Sequence, residues 1–188
     1  MSDEEAPSIH LLAIAGSLRR ESYSAAVART LAEAQKPPVA MTVYDLADIP
    51  LYNQDLDGDE LPVPVRAFKD AIARADGLVI VTPEYNYGLP GVLKNAIDWA
   101  SRPGFESVLK HKPVLPISNS PAFTGGARAL TQLKSVLLAT LSHVVPGPEV
   151  VLGGVQRKIT DGRLADADNL AFAQKQIDAL VAGIQART

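Results

Sequence analysis

Short, continuously apolar segments alternate along this chain with segments of helical periodicity. Residues 9–15, 39–44 and 77–82 are apolar at nearly every position instead of every second one, a pattern typical of strands buried on both faces. Two further apolar segments, 113–118 and 144–152, continue the series. The alternation of strand and helix therefore predicts an α/β fold in which helices cover both faces of a five-stranded parallel sheet.

The segments between the apolar runs carry apolar residues at helical spacing. The predicted helices cover residues 22–35, 65–75, 90–102, 126–141 and 165–185. A chain of 188 residues suits one domain, with residues 1–7 expected to be disordered. The connection over residues 45–64 is long and rich in Pro and Asp, and such connections are often functional or cover an interface.

Composition excludes several classes of function. The chain has 18 Lys plus Arg against 21 Asp plus Glu and no long run of one sign, which argues against nucleic-acid and membrane partners and favours a small substrate. It has no cysteine, so thiolate nucleophiles, Cys-ligated iron–sulfur centres and thiolate zinc sites are excluded. Redox chemistry would need an organic cofactor.

The sequence also carries expectations about cellular location and metal binding. The acidic N-terminus lacks the features of a signal peptide, and no apolar run approaches the roughly 20 residues of a membrane helix, so a cytoplasmic location is expected. His10, His111 and His143 have no spacing that would bring metal ligands together. No metal site is predicted.

Three polar loops follow predicted strands. In doubly wound sheets ligands bind at the carboxyl ends of the strands, which points to the loops at 16–24, 83–88 and 118–128. These loops are the segments richest in Gly, Ser, Asn and Arg.

The first loop has the composition of a phosphate site. A helix start offers free N–H groups to an anion, and Ser hydroxyls with an Arg would complete the cradle. The candidate ligands are Ser17, Arg19, Ser22 and Ser24. The alternative is that Ser22 only caps the helix and Arg19 is a solvated charge. The loop matches neither the Walker motif nor the dinucleotide glycine motif, so a mononucleotide phosphate fits better.

The other two loops suit a flat ring and a close backbone approach. The second contains Pro83, Glu84, Tyr85 and Asn86, which combine stacking faces with hydrogen-bonding groups. Its tyrosines could instead pack on the sheet edge. The third places Gly125 and Gly126 at a helix opening, where glycine allows a ligand to approach or simply forms a turn.

Together these motifs resemble those of the NADPH-dependent FMN reductase family, which includes bacterial quinone, chromate and azo-dye reductases. The resemblance is carried by four segments in the family's order: Gly16-Ser17-Leu18-Arg19 with Ser22, Pro83-Glu84-Tyr85-Asn86, Pro90-Gly91-x-Leu93-Lys94-Asn95-Ala96-Ile97-Asp98-Trp99, and Gly125-Gly126-x-Arg128. It implies a flavodoxin-like three-layer sandwich with strand order 2-1-3-4-5, bound FMN, NADPH or NADH as co-substrate, and assembly as homodimers or homotetramers.

The resemblance also implies roles for individual residues. Ser17, Arg19, Ser22 and Ser24 would hold the FMN phosphate; Pro83, Glu84, Tyr85 and Asn86 would line the isoalloxazine ring; and Ser118, Gly125 and Gly126 would approach the ring or the ribityl chain. The family often has Asn where this chain has Ser24, whose reach is shorter. Residues 49–55 resemble the family's long connection, which tends to lie near the flavin of a neighbouring subunit.

The activity implied is hydride transfer from NAD(P)H to N5 of FMN and then onward to a small-molecule acceptor, namely a quinone, azo compound, chromate or flavin. No side chain is expected to act as a catalytic acid or base. Two alternatives remain open: a flavodoxin-like electron carrier without substrate turnover, and a regulatory or scaffold protein that keeps the fold without the flavin.

Overall fold

A parallel sheet between two layers of helices forms the centre of the computed structural model, which describes residues 9–187. The expectation for residues 1–7 lies outside the described residues. The strands of the main sheet are β1 Ile9–Ala15, β2 Val39–Tyr44, β3 Gly77–Pro83, β4 Pro113–Ser120, β5 His143–Val144 and β6 Val150–Gly153. The helices are α1 Tyr23–Glu33, α2 Val63–Arg74, α3 Gly91–Ala100, α4 Ala127–Ala139 and α5 Ala167–Gln185.

The strand order is β2-β1-β3-β4-β5, and all pairs in this sheet are parallel, which confirms the predicted fold class. The fifth strand position differs from the prediction of one strand over residues 144–152. It is filled by two short strands, with β5 pairing the start of β4 and β6 pairing its end. The segment Pro146-Gly147-Pro148 separates them, because proline cannot donate to a sheet ladder.

Each face of the sheet has its own apolar core. In β3, Leu78 and Ile80 pack with α2, α3 and α4, whereas Val79 and Val81 pack with α1 and α5. Side chains alternate between the faces of a strand, so a strand covered on both sides must be apolar at successive positions. This requirement explains the continuous apolar runs in the sequence.

A small antiparallel hairpin, β7 Ile159–Thr160 and β8 Arg163–Leu164, was not predicted. Asp161 and Gly162 form its turn with φ of 50° and 70°, and Asp-Gly is a common sequence for such a two-residue turn. The Leu164 N–H donates to Thr30 Oγ1 at 2.9 Å, which ties the hairpin to α1. Within residues 9–187, no helix combines the length and apolar composition needed to cross a bilayer.

The long connection between β2 and α2 is held by α3. The carbonyl oxygen of Pro50 accepts hydrogen bonds from Asn95 Nδ2 and Trp99 Nε1, both at 2.8 Å. The Tyr52 N–H donates to Asn95 Oδ1 at 2.7 Å, and the Tyr52 ring meets the buried Trp99 ring edge-on at 4.9 Å between centres. Asn95 therefore uses both ends of its amide to fix the connection.

We expect Asn95→Ala to lower the free energy of unfolding by about 1–3 kcal/mol, because two partly buried hydrogen bonds are lost and the Tyr52 N–H is left without its acceptor. Urea denaturation measures the effect, and faster hydrogen exchange at Tyr52 would locate it. Asp98→Ala on the same helix is the matched control, since it breaks only the exposed pair with Lys94 and should cost about 0–1 kcal/mol. Equal effects of the two substitutions would contradict the role given to Asn95.

Candidate active site

The three polar loops meet at the carboxyl edge of the sheet. The Gly16 N–H donates to the Val81 carbonyl at 2.9 Å, and Pro83 is the register neighbour of Asn119 in β4. A Cβ on Gly16 would lie 3.2 Å from Pro83 Cδ and 3.0 Å from Leu93 Cδ2, so the first loop approaches the second closely only because residue 16 is glycine.

A cavity of about 270 Å³ opens between the loops, and we call it the edge cavity. Seven predicted site residues line it: Ser17, Arg19, Ser22, Ser24, Pro83, Glu84 and Tyr85. Tyr23, Asn119 and Pro121 also line it, although the sequence did not single them out. Asn119 had a detectable signal, because it is a polar residue at the carboxyl end of an otherwise apolar strand.

One side of the edge cavity has the electrostatics of an anion site. Ser22 caps α1, because its Oγ accepts the Ala25 N–H at 3.2 Å. A capping role was the alternative interpretation of Ser22 in the sequence. Among residues 9–187, no group accepts the N–H groups of Tyr23 and Ser24, and the first turn of α1 contains no acidic residue. Free N–H groups and the helix dipole both favour a bound anion here.

Arg19 adds a positive charge to the same side. Its guanidinium carbon lies 4.9 Å from the centre of the Tyr23 ring, and no carboxylate of the described residues forms an ion pair with it. Ser17 Oγ receives the Arg19 N–H at 3.3 Å and lies 3.2 Å from the Tyr85 hydroxyl. Ser17 thus joins the anion side to the aromatic loop.

The aromatic loop is a tight turn. Tyr85 and Gly88 exchange two backbone hydrogen bonds, at 3.1 and 3.0 Å, and the two residues between them, Asn86 and Tyr87, have φ of 49° and 64°. Positive φ at two successive residues defines a type I′ turn, which tyrosine adopts only at some cost in strain. The Arg128 guanidinium lies 4.2 Å from the centre of the Tyr87 ring and supports it in this conformation.

Glu84 fastens this loop to α4. Its carboxylate accepts the N–H groups of Arg128 and Ala129 at 3.0 and 3.1 Å, while the N-cap position of α4 is Gly126, which has no side chain to cap with. The Glu84 side chain is 8% exposed. A carboxylate at a helix start is stabilised by the free N–H groups and the dipole. Glu84 therefore caps α4 through Oε2, while its Oε1 lies 3.9 Å from Arg128 Nη1.

The remaining predicted site residues lie beside the edge cavity and do not line it. Ser118 is fully buried, and its Oγ has no hydrogen-bond partner in the structure. Gly125 and Gly126 have φ of 61° and 85°, and a Cβ on Gly125 would lie 2.4 Å from Val151 Cγ1. Asn86 occupies the exposed turn. Packing and backbone conformation explain the two glycines locally, and contact of these four residues with a flavin stays a prediction.

The histidines lie elsewhere. The fold does bring two of them together, with His111 Nδ1 3.3 Å from His143 Nε2, which the sequence spacing did not suggest. Burial and the nearby Arg187 and His111 lower the pKa of His143. His111 precedes β4 and His143 opens β5, so the pair lies at the sheet edge opposite the edge cavity. Within the described part of the chain, no group of three His, Asp or Glu side chains is arranged to hold a metal ion.

Comparison with known proteins identifies the family. The sequence model described as NADPH-dependent FMN reductase matches residues 9–157. The chain belongs to the NADPH-dependent FMN reductase family. It is 40% identical over 183 residues to a quinone reductase of Escherichia coli K12, covering 94% of this chain and 96% of that protein. It is 38% identical over 180 residues to a 2-hydroxy-1,4-benzoquinone reductase of a Burkholderia species, covering 95% and 98% of the two chains.

A solved structure agrees with this assignment. The flavoenzyme NAD(P)H:(acceptor) oxidoreductase FerB from Paracoccus denitrificans superimposes with a TM-score of 0.80 at 34% identity, over 95% of this chain and 98% of that one. Membership of the FMN reductase family confirms the resemblance found in the sequence motifs, the flavodoxin-like fold, and the class of the protein as an oxidoreductase that uses FMN and NAD(P)H.

The cap formed by Glu84 can be tested by stability. We expect Glu84→Ala to lower the free energy of unfolding by about 1–3 kcal/mol, because two N–H groups at the start of α4 lose a charged acceptor. Glu84→Gln keeps an acceptor oxygen and should cost less. Urea denaturation of the protein without added flavin measures both, and an unchanged Ala variant would show that the carboxylate does not cap α4.

Proposed function

We propose that this chain, as one FMN-binding domain, is an NAD(P)H-dependent quinone reductase that holds FMN in the edge cavity. The observation that carries the proposal is that one cavity joins an anion-binding helix start to a loop of aromatic and Pro residues. A mononucleotide with a flat ring needs these two surfaces side by side. The quinone reductases among its relatives favour a quinone as acceptor.

The anion side fits the phosphate end of FMN. Tyr23 and Ser24 offer backbone N–H groups without acceptors, and Arg19 offers a guanidinium without a carboxylate partner among the described residues. The Ser22 hydroxyl accepts the Ala25 N–H and keeps its own proton to donate. The free donors and the positive charge of Arg19 therefore favour a phosphate group here.

The aromatic loop fits the ring end. Pro83 and Tyr85 line the edge cavity, and the Glu84 cap holds the loop against α4. Because the loop is held before a ligand arrives, less ordering entropy is lost on binding. Roles for Asn86, Ser118, Gly125 and Gly126 at the ring or ribityl chain form part of this proposal, although they do not line the edge cavity.

FMN, when bound, supplies the hydride-accepting and electron-donating chemistry of the reaction. The residues of this chain bind and orient the reactants. Glu84 is the one acidic residue that lines the edge cavity, and its Oε2 already accepts two N–H groups, so the proposal assigns no side chain as catalytic acid or base. Chromate, azo compounds and free flavin remain further candidate acceptors.

Assembly as homodimers or homotetramers and a cytoplasmic location complete the proposal. Several large apolar side chains are exposed on one protomer, including Leu51 in the long connection, Tyr87 and Phe105. A second copy that covers them would remove apolar surface from water. The resemblance places residues 49–55 near a neighbouring subunit's flavin, and the exposure of Leu51 supports that placement.

Anaerobic reduction distinguishes an enzyme from an electron carrier. We expect NADPH or NADH to bleach the yellow colour of the purified protein with FMN, and a quinone to restore the colour. The two nicotinamides are compared in separate runs, followed by quinone, azo, chromate and flavin acceptors. Failure of both nicotinamides to bleach a yellow protein would favour the carrier, and a protein that takes up no FMN would overturn the proposal.

Arg19→Ala tests the phosphate site. Loss of a hydrogen bond to a charged group should weaken FMN binding about 10- to 150-fold, as measured by quenching of FMN fluorescence on titration into protein stripped of flavin. The matched control is Arg20→Ala, which removes the same charge from an adjacent residue that does not line the edge cavity. Equal losses for both variants would indicate general attraction between charges and remove Arg19 from the site.

A further inference from the structure

Ser24 is a buried polar side chain at the start of α1. It is the second residue of α1, is 1% exposed and lines the edge cavity. Its Oγ is not alone, because Asn119 Nδ2 from the end of β4 donates to it at 2.7 Å. The Asn119 amide, at the end of β4, therefore contacts the Ser24 hydroxyl at the start of α1.

The orientation of the Asn119 amide is fixed by a third group. Asn119 Nδ2 also lies 3.2 Å from the carbonyl oxygen of Thr82, which can only accept a hydrogen bond. The atom facing both Thr82 and Ser24 must therefore be the amide nitrogen and not its oxygen. Asn119 is 1% exposed, so the surrounding core holds the amide in this position.

The fixed amide decides what the Ser24 hydroxyl can do. Since Ser24 Oγ accepts from Asn119, its own proton must be donated to another group, and no acceptor for it exists among residues 9–187. The hydroxyl lies beside the N–H groups of Tyr23 and Ser24, which have no acceptor among residues 9–187. Neighbouring donors without acceptors are satisfied by an oxygen-rich anion.

We propose that Asn119 is a positioning residue that turns the Ser24 hydroxyl into a donor to the phosphate of FMN. This rests on the proposed function, because it requires FMN in the edge cavity. In this arrangement β4 supplies the amide, and α1 supplies the hydroxyl that would contact the ligand. Ser22 is similar, because its Oγ accepts the Ala25 N–H and its own hydroxyl proton remains available to donate.

The test compares FMN with riboflavin, which has the same ring and ribityl chain but no phosphate. Dissociation constants of both ligands are measured by fluorescence quenching on flavin-free protein. Asn119→Ser should weaken FMN binding at least about tenfold, the loss expected for one hydrogen bond to a charged group, and leave riboflavin binding unchanged. A merely structural role for Asn119 would weaken both ligands together.

Three further variants separate positioning from direct contact. Ser24→Ala should weaken FMN binding by a similar factor, and adding Asn119→Ser to it should cause no further loss, because Asn119 acts through Ser24. The exchange variant Ser24→Asn with Asn119→Ser puts the amide on α1 and the hydroxyl on β4. It should recover most of the FMN affinity that Asn119→Ser alone loses. Recovery would also show that the Asn119→Ser loss is not a folding defect.

A matched control is Asn169→Ser, which removes an amide hydrogen-bonded to Asp166 and Lys158 at the start of α5. It should leave the binding of both ligands unchanged. Unchanged FMN affinity in Asn119→Ser, an equal loss for riboflavin, or an additive loss in the double variant would each overturn the role of Asn119. If the wild-type protein binds no FMN, the proposed function itself fails; if Arg19→Ala weakens FMN and Asn119→Ser does not, only the positioning role fails.

Discussion

The structure depends on a parallel sheet whose two faces are both buried. Consecutive residues of β3 show the consequence, because Leu78 and Ile80 enter one core while Val79 and Val81 enter the other. With both faces covered by helices, polar groups that serve a ligand can lie only where the strands end. In a parallel sheet the carboxyl ends share one edge, so the loops after β1, β3 and β4 become neighbours although they are far apart in sequence.

Bringing the three loops together does not by itself form a binding site, because each loop also needs a fixed conformation. Glu84 provides this for two loops at once, since it directly follows β3 and its carboxylate caps the start of α4. Ser17 and Tyr85 join the first loop to the second, and Asn119 joins the end of β4 to the start of α1. Every link is a hydrogen bond between segments that lie at the carboxyl ends of different strands. The edge cavity is therefore shaped by contacts that do not involve the ligand.

The sequence predicted the elements well and some details poorly. Strands β1 and β2 were confirmed, because continuous apolar runs indicated them, and the strand order that the family resemblance implied was confirmed as well. The fifth strand was predicted as one piece, although Pro146 and Pro148 gave a signal for the break. The meeting of His111 with His143 could not be predicted, since it depends on how the residue before β4 and the residue opening β5 are paired in the sheet.

For the site, residue types by themselves indicated a helix start for an anion beside an aromatic loop, and seven predicted residues line one cavity. The motifs also determined the family, because glycine, serine and arginine at these spacings reflect local backbone and phosphate chemistry. Only the tertiary structure decided which partners each side chain has: Glu84 caps α4, and Asn119 meets Ser24 across 95 residues. The reason is physical, since a buried hydrogen-bonding group takes its role from its partners, and partners from different strands meet only in the folded chain.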